Sequence, residues 1–395
     1  MGAQAPARKK TTAKPGAKKV AHVSAARSAS TTKSVSAARK RKMRKAAGTG
    51  GFWTEPTFAD STVGDSVDGE DLDVRRAAVE SLGKFNGSVV VANPESGRIL
   101  TMVNQKLALG SGFQPCSTIK IPVALAALSE GIIDRNTPVR LYGKTTLDLT
   151  HAIARSNNPY FANLGIKLGY ERVAYYAHLF GLGEKAGLDI AGEQPGRFPK
   201  APPKNGGVGM LTSFGEEISL TPLQLTAFMS AIANQGTLYY LQYPRSHAEV
   251  ESFTPRVKRR LDIQRLIPEV RPGMMGAVEF GTARRGFQAD VPFAGKTGTC
   301  SEARTHLGWF GSFNDSGPNK LVVVVLLTGG KPSIGPQAAG IAGDVYKRLA
   351  ANKYFADNRT VSTLAEPGPL TPVMNLPPSP SGRGGTTFGG LRALP

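Results

Sequence analysis

Apolar and polar residues alternate with the periods of helices and strands between about residue 75 and residue 355. Two strands joined by a Pro/Gly turn are predicted for residues 87–103. Further strands are predicted for three later stretches: 293–300, 306–313 and 321–327. Helical spacing recurs in six stretches: 75–82, 147–168, 171–180, 221–232, 274–280 and 337–351. The pattern predicts one region of mixed helices and strands, with a loop over 181–209 and no assigned element over 237–272.

An apolar helix is predicted to open at Gln114 and to continue through Leu128. Its start contains Ser117 and Lys120, and a spacing of three residues puts both on one face of a helix. A serine hydroxyl is a weak nucleophile, so it needs a base within hydrogen-bond reach. Lys120 can serve as that base only if burial or a second cation lowers its pKa. The ordinary alternative is an N-capped helix with a solvated lysine.

A break in helical spacing divides the stretch 147–168 into two helices. It falls at residues 156–159, where Pro159 disfavours a helical conformation for Asn158. Such a break exposes polar side chains at the tip between the two helices. A second polar cluster, residues 296–299, lies in the first strand of the last third of the chain. A glycine in that strand indicates a close approach to the backbone.

The charge of the chain is uneven. The net charge is +20, from 49 basic and 29 acidic residues. Residues 1–50 contain fourteen Lys or Arg and no acid, which leaves about +6 for the rest of the chain. This basic arm has few large apolar side chains, so we expect it to be disordered. It either binds a polyanion, such as nucleic acid or anionic lipid, or remains a solvated tail. An acidic linker is predicted for 51–74, and a disordered Pro/Gly-rich tail for 356–395.

Neither a membrane span nor a secretory signal is predicted. The first 60 residues contain no apolar h-region, and the longest apolar run, 321–327, fits a buried strand. If the protein is exported, either the route is an unrecognised one or the natural N-terminus differs from this one. The five histidines are scattered without metal-ligand spacing, so neither a metal nor another cofactor is predicted.

Three short motifs stand in a fixed order: Ser117-x-x-Lys120, Ser156-x-Asn158 and Lys296-Thr297-Gly298-Thr299. The set resembles that of penicillin-binding proteins and class A β-lactamases, in which Asp stands at the position of Asn157. The chain is similar to a penicillin-binding protein transpeptidase domain over residues 75–355, including segments 215–225 and 281–283. The resemblance implies an α+β fold, with an antiparallel sheet flanked by helices, a helical lobe, and a site between them.

The resemblance also implies a serine D-Ala-D-Ala transpeptidase or carboxypeptidase. Such an enzyme acts on peptidoglycan stem peptides outside the cytoplasm, in the periplasm or cell envelope, and is acylated by β-lactams without a cofactor. By resemblance, Ser117 would be the nucleophile and Lys120 its general base. Ser156 would relay a proton to the leaving amine, and Asn158 would hold the backbone amide of the substrate.

The third motif, by the same resemblance, would bind the carboxylate end of the substrate. Lys296 would supply positive charge and help to keep the catalytic base deprotonated. Thr297 and Thr299 would offer hydroxyl donors, with Gly298 between them in the binding strand. The N–H groups of Ser117 and Thr299 would form the oxyanion hole.

The two cysteines flank these residues, because Cys116 precedes Ser117 and Cys300 follows Thr299. If the N–H groups of Ser117 and Thr299 meet at one oxyanion, the cysteines lie within reach of a disulfide. Their positions are also similar to those of the active-site pair in class A carbapenemases. We therefore predict a Cys116–Cys300 disulfide, with two buried free thiols as the alternative.

Two other functions stay open on the sequence. In class A β-lactamases, a glutamate after the second motif activates the hydrolytic water, and Glu193 lies in a suitable region. Its context, residues 192–196, resembles the penicillin-binding pattern, in which that residue has a structural place. The other possibility is a non-catalytic sensor or scaffold that binds β-lactams or cell-wall peptide.

Overall fold

The structure is a computed structural model that describes residues 55–141, 145–302, 305–331 and 334–356, together with the backbone of residues 393–394. The predicted basic arm, 1–50, lies outside the described residues. The same holds for most of the predicted C-terminal tail.

The helices and strands occur in mixed order along the chain. The α-helices in the described residues are α1 Leu72–Leu82, α2 Gln105–Leu109, α3 Lys120–Ser129, α4 Leu149–Ala154, α5 Asn158–Leu168, α6 Tyr170–Leu179, α7 Gly207–Phe214, α8 Pro222–Ala233, α9 His247–Glu251, α10 Ile267–Glu279 and α11 Gly335–Ala351. The strands in those residues are β1 Gly87–Ala92, β2 Ile99–Val103, β3 Val139–Arg140, β4 Thr146–Leu147, β5 Thr237–Tyr239, β6 Val257–Leu261, β7 Ala294–Glu302, β8 Thr305–Asn314, β9 Leu321–Gly329 and β10 Ala393–Leu394.

The main sheet has five strands in the order β2-β1-β9-β8-β7, and every neighbouring pair is antiparallel. The predicted hairpin over 87–103 is confirmed as β1 and β2, and the three later predicted strands as β7, β8 and β9. Helices α1 and α11 contact this sheet, and so does α8. The prediction of an α+β fold with a flanked antiparallel sheet is therefore confirmed.

Strand β9 shows why its apolar run is unbroken. All nine of its residues are buried. Val322, Val324 and Leu326 belong to one core cluster, which includes α3, α5, α6 and α8. Val323 and Val325, between them, belong to a second cluster with α1 and α11. Because successive strand residues point to opposite faces, a strand covered on both sides requires apolar residues at every position.

The predicted helix at Ser117 begins differently from the expectation. Cys116–Ile119 forms a 3₁₀ turn, and α3 starts at Lys120. Pro122 is the third residue of α3, just after the 3₁₀ turn, so its missing N–H removes a single hydrogen bond at the start of the helix. It therefore does not end the helix. Every residue of α3 is buried, and the helix packs against α5 and α6 in the helical lobe.

Two helices depart from the prediction. Helix α7 begins at Gly207, inside the stretch 181–209 that the sequence predicts to be a loop. The pattern does not indicate this helix because two of its first three residues are glycines. Helix α10 begins at Ile267 rather than near residue 274, with Pro268 in its first turn and Pro272 in its interior. A proline inside a helical pattern normally indicates a helix end, so the sequence predicts only the part of α10 after Pro272.

The acidic stretch 51–74 packs onto the domain in its described part. The side chains of Asp65 and Glu70 are buried and contact Arg75, at 2.7 and 3.5 Å. Asp65 also accepts the backbone N–H groups of Asn104 and Gln105. These carboxylates therefore hold residues 65–70 against β2 and the start of α2. Among the described residues, no helix is long and apolar enough to cross a bilayer.

Candidate active site

Ser117 and Lys120 meet where the 3₁₀ turn joins α3. The Thr118 hydroxyl donates to the Pro115 carbonyl at 2.7 Å and fixes the turn. The three-residue spacing then brings Lys120 Nζ to 2.6 Å from Ser117 Oγ. Ser117 is 8% exposed and Lys120 is fully buried. The arrangement places a buried amine beside a nearly buried hydroxyl.

Lys120 has two further hydrogen-bond acceptors. Its Nζ donates to Asn158 Oδ1 at 2.8 Å and to the Ser213 carbonyl at 2.5 Å. The rings of Phe161 and Phe214 lie 5.8 and 5.7 Å from the same nitrogen. The sequence prediction missed the Ser213 carbonyl, because a backbone acceptor at the end of α7 carries no residue signature.

The pKa of Lys120 lies well below its usual value, mainly because of burial and also because of the charge of Lys296. A depressed pKa favours the neutral amine, which has a lone pair that can accept a proton. The alternative of a solvated lysine on an ordinary helix is therefore wrong. A lysine base requires burial or a second nearby cation, and Lys120 has both: it is buried, and Lys296 is the second cation.

The tip between α4 and α5 carries the second motif. Ser156 has a positive φ of 54°, and Asn157 caps α5 through its side chain, which accepts the N–H of Tyr160 at 2.8 Å. Asn158 is the first residue of α5, although Pro159 was expected to disfavour a helical Asn158. The sharp turn thus directs Asn158 to Lys120, while the Ser156 hydroxyl faces the third motif.

Strand β7 carries the third motif at the edge of the main sheet. Lys296 is fully buried, and its Nζ donates to Ser156 Oγ at 2.8 Å and to the Thr297 carbonyl at 2.9 Å. Burial lowers the pKa of Lys296 to about 7. The Thr297 hydroxyl lies 2.6 Å from that of Thr282, whereas Thr299 is exposed. The two lysines are thus linked to the same tip between helices.

Gly298 explains how closely β7 approaches the Ser117 turn. A Cβ at this position would lie 2.8 Å from the Pro115 carbonyl oxygen and 3.0 Å from Trp309 Cβ. Any side chain there would push the strand away from the turn. The expected close approach to the backbone is therefore found at Gly298.

Cys116 and Cys300 form the predicted disulfide. Their Cα atoms are 5.6 Å apart, and the bond joins positions 184 residues apart in sequence. The alternative of two free thiols is wrong. The residue before Ser117 is thus covalently tied to the residue after Thr299.

Glu193 is buried and engaged by the backbone around it. Its carboxylate accepts the N–H of Ala186 at 2.7 Å and that of Gly187 at 3.0 Å. It is 2% exposed, and burial raises its pKa. These bonds fix the loop after α6.

The sheet and the helical lobe, with the three motifs between them, form a transpeptidase fold. The chain belongs to the penicillin-binding protein transpeptidase family, since the family's transpeptidase domain matches residues 87–350.

Named relatives support this membership. The chain is 29% identical over 317 residues to stage V sporulation protein D of Bacillus subtilis, covering 66% of this chain and 49% of that protein. It is 24% identical over 334 residues to the peptidoglycan D,D-transpeptidase PbpA of Mycolicibacterium smegmatis, covering 68% and 67%. The chain therefore spans about half the length of the sporulation protein.

A solved structure supports the fold. Pseudomonas aeruginosa PBP2, crystallised in complex with WCK 5153, matches with a TM-score of 0.61 and 24% identity. The match covers 73% of this chain and 75% of that one.

Proposed function

We propose that the protein is a peptidoglycan D,D-transpeptidase that works through an acyl-enzyme on Ser117. The observation that carries the proposal is the 2.6 Å distance between Ser117 Oγ and Lys120 Nζ. The burial that lowers the pKa of Lys120 supports a neutral amine next to the hydroxyl. A base in reach and in the right protonation state is what an acylating serine requires.

Acylation begins with attack of Ser117 Oγ on the carbonyl carbon of the penultimate D-alanine. Lys120 Nζ takes the hydroxyl proton as the new C–O bond forms. Ser156 passes a proton to the departing amine, and the C–N bond breaks to release D-alanine. An amine of a second stem peptide then attacks the ester and forms the cross-link. Water in place of that amine gives the carboxypeptidase reaction.

Substrate binding uses the other motif residues. The Asn158 amide oxygen accepts from Lys120, which leaves its NH₂ group to donate to the backbone carbonyl of the stem peptide. Lys296, Thr297 and Thr299 face the terminal carboxylate. The short gap across Gly298 supports convergence of the N–H groups of Ser117 and Thr299 on the oxyanion.

The disulfide supports a site of action outside the cytoplasm, because such bonds persist in oxidising compartments. The predicted substrate, peptidoglycan, and the predicted inhibitors, β-lactams, agree with that location. Binding of a polyanion by residues 1–50 stays a prediction. Hydrolysis of β-lactams is disfavoured, since the Glu193 carboxylate is occupied by two backbone N–H groups. No contact in the described residues favours a sensor or scaffold.

Intact mass after incubation with benzylpenicillin tests the proposal. We expect a long-lived adduct on the wild type and none on Ser117→Ala or Lys120→Ala. The products formed from a stem pentapeptide and an amine acceptor then separate the two reactions: cross-linking gives an acceptor-linked tetrapeptide and hydrolysis gives a free tetrapeptide, while D-alanine is released in both. A wild type that forms no adduct and releases no D-alanine would overturn the proposal. Rapid return to free enzyme with consumption of the antibiotic would make it a β-lactamase.

A further inference from the structure

Thr282 contacts a residue of the third motif and itself belongs to none of the three motifs. It lies just after the C-terminal end of α10, and its Oγ1 is 2.6 Å from Thr297 Oγ1. Thr297 is 4% exposed and Thr282 is half-buried. The Thr297 hydroxyl is therefore already paired with the hydroxyl of Thr282.

The backbone around Thr282 is held rigidly beside the second motif. The Thr282 N–H donates to the Ala154 carbonyl at 3.1 Å, and the Ala283 N–H donates to the Ala277 carbonyl at 2.8 Å. A Cβ on Gly281 would lie 2.1 Å from the Ala154 oxygen, so only glycine permits this approach. Thr282 is thus fixed relative to the end of α4.

The hydroxyls of Thr282 and Thr297 have two hydrogens between them. Each hydroxyl has one hydrogen to donate, whereas an ionised carboxylate can only accept. One of the two hydrogens is used in the bond between Thr282 and Thr297. If Thr282 donates it, the Thr297 hydrogen is free to point at a carboxylate. If Thr297 donates instead, its own hydrogen is withdrawn from the substrate.

We propose that Thr282 is a positioning residue for carboxylate binding: its hydroxyl donates to Thr297 Oγ1 and directs the Thr297 hydrogen towards the terminal carboxylate of the substrate. This inference rests on the proposed function of the Ser117 site. A continuous set of contacts then runs from the end of α10 to the tip between α4 and α5, through Thr282, Thr297, Lys296 and Ser156. Charge and hydroxyl donor are presented to the substrate as one preorganised unit.

The test compares acylation by benzylpenicillin, which carries a carboxylate, with acylation by its methyl ester, which does not. We expect Thr282→Val to lower the second-order acylation rate with benzylpenicillin by about 3- to 10-fold, the range for a neutral hydrogen bond, because the Thr297 hydroxyl loses the donor that orients it. The rate with the ester should change by less than about two-fold, within the scatter of a remote surface change. Thr282→Ser, which keeps the hydroxyl, should restore the rate with benzylpenicillin.

Two further variants separate positioning from a general loss of structure. Thr254→Val makes the same chemical change at a half-buried hydroxyl before β6, and it should leave both rates unchanged. The double variant Thr282→Val/Thr297→Val should be little worse than Thr297→Val alone, because Thr282 acts through Thr297.

Equal slowing with both probes, or no slowing with either, would overturn this inference while leaving the acyl-enzyme intact. Additive losses in the double variant would also overturn it, because they would mean that Thr282 acts independently of Thr297. A wild type that is not acylated at all would overturn the proposed function first, and this inference with it.

Discussion

The side-chain oxygen of Asn158 accepts a hydrogen bond from Lys120 Nζ at 2.8 Å, so a residue of the second motif contacts the base of the first. The same nitrogen lies 2.6 Å from Ser117 Oγ. Asn158 is uncharged, and a neutral amide orients the amine without favouring its protonated form. A carboxylate of the same shape would favour the protonated amine, because its negative charge stabilises the ammonium group.

Asn158→Asp should therefore slow acylation by raising the pKa of Lys120. An opposite charge at this distance shifts a pKa by about 1–3 units, which reduces the neutral amine at pH 7 by about 10-fold or more. We expect the benzylpenicillin acylation rate to recover as pH rises through the new pKa of Lys120. Intact mass against time, from about pH 6 to pH 10, measures this profile.

Asn158→Ala is the control for that profile. It removes the substrate contact but adds no charge, so it should slow acylation without displacing the acid limb to higher pH. Identical pH profiles for the two variants would show that the charge state of Lys120 does not limit acylation.

Lys296→Met should stabilise the fold while preventing acylation by carboxylate-bearing substrates. The folded pKa of Lys296 is about 7, and that of an unfolded lysine is about 10.4. Between these values the unfolded state binds more protons, so the wild-type free energy of unfolding rises with pH. The full cost of the buried charge, on the order of several kcal/mol, is present only below about pH 7.

Denaturant unfolding of wild type and Lys296→Met at about pH 6, 8 and 10 measures that cost. The advantage of the variant should be largest at the lowest pH and should shrink towards pH 10. If the difference in free energy of unfolding between the two proteins is constant with pH, burial of the Lys296 charge does not destabilise the fold.

Sequence patterns anticipated the strands and the motif positions because both depend on local spacing. The strand β9 is an unbroken apolar run, and the Ser117 to Lys120 spacing holds whether the turn is 3₁₀ or α-helical. The disulfide was also predictable, since Cys116 and Cys300 flank two residues that were expected to converge.

Other features could not be predicted because they depend on tertiary contacts. The Ser213 carbonyl reaches Lys120 only through the packing of α7, whose glycines give no clear helical signal. Thr282 approaches Thr297 because the end of α10 docks against α4. The burial of the Asp65 side chain likewise depends on the backbone of Asn104 and Gln105, about forty residues away, so the sequence of its segment resembles an ordinary acidic linker.

Glu193 should contribute to stability rather than to release of the acyl group. Glu193→Ala leaves two buried backbone N–H groups without an acceptor, which costs about 1–3 kcal/mol for each group. Glu193→Gln keeps an acceptor oxygen and should lose much less. Neither variant should alter the lifetime of the benzylpenicillin adduct. A wild type that turns over rapidly, together with a trapped adduct on Glu193→Gln, would assign Glu193 to β-lactam hydrolysis.

Removal of the disulfide should impair both stability and acylation. The bond closes a loop of 184 residues, and loss of a native disulfide typically lowers the free energy of unfolding by about 2–5 kcal/mol. It also ties the residue before Ser117 to the residue after Thr299, whose N–H groups are proposed to hold the oxyanion. Losing one such donor costs about 10²–10³ in rate, so loosening both should cost at least about 10-fold.

Cys116→Ala/Cys300→Ala measures the two effects separately. Denaturant unfolding gives the change in stability, and the benzylpenicillin acylation rate is taken at a temperature where circular dichroism shows the variant fully folded. Wild type with and without reductant, under the same conditions, controls for side-chain replacement. If the folded variant acylates as fast as the wild type, the disulfide contributes stability alone, because the Ser117 turn and β7 are then held together by packing around Gly298.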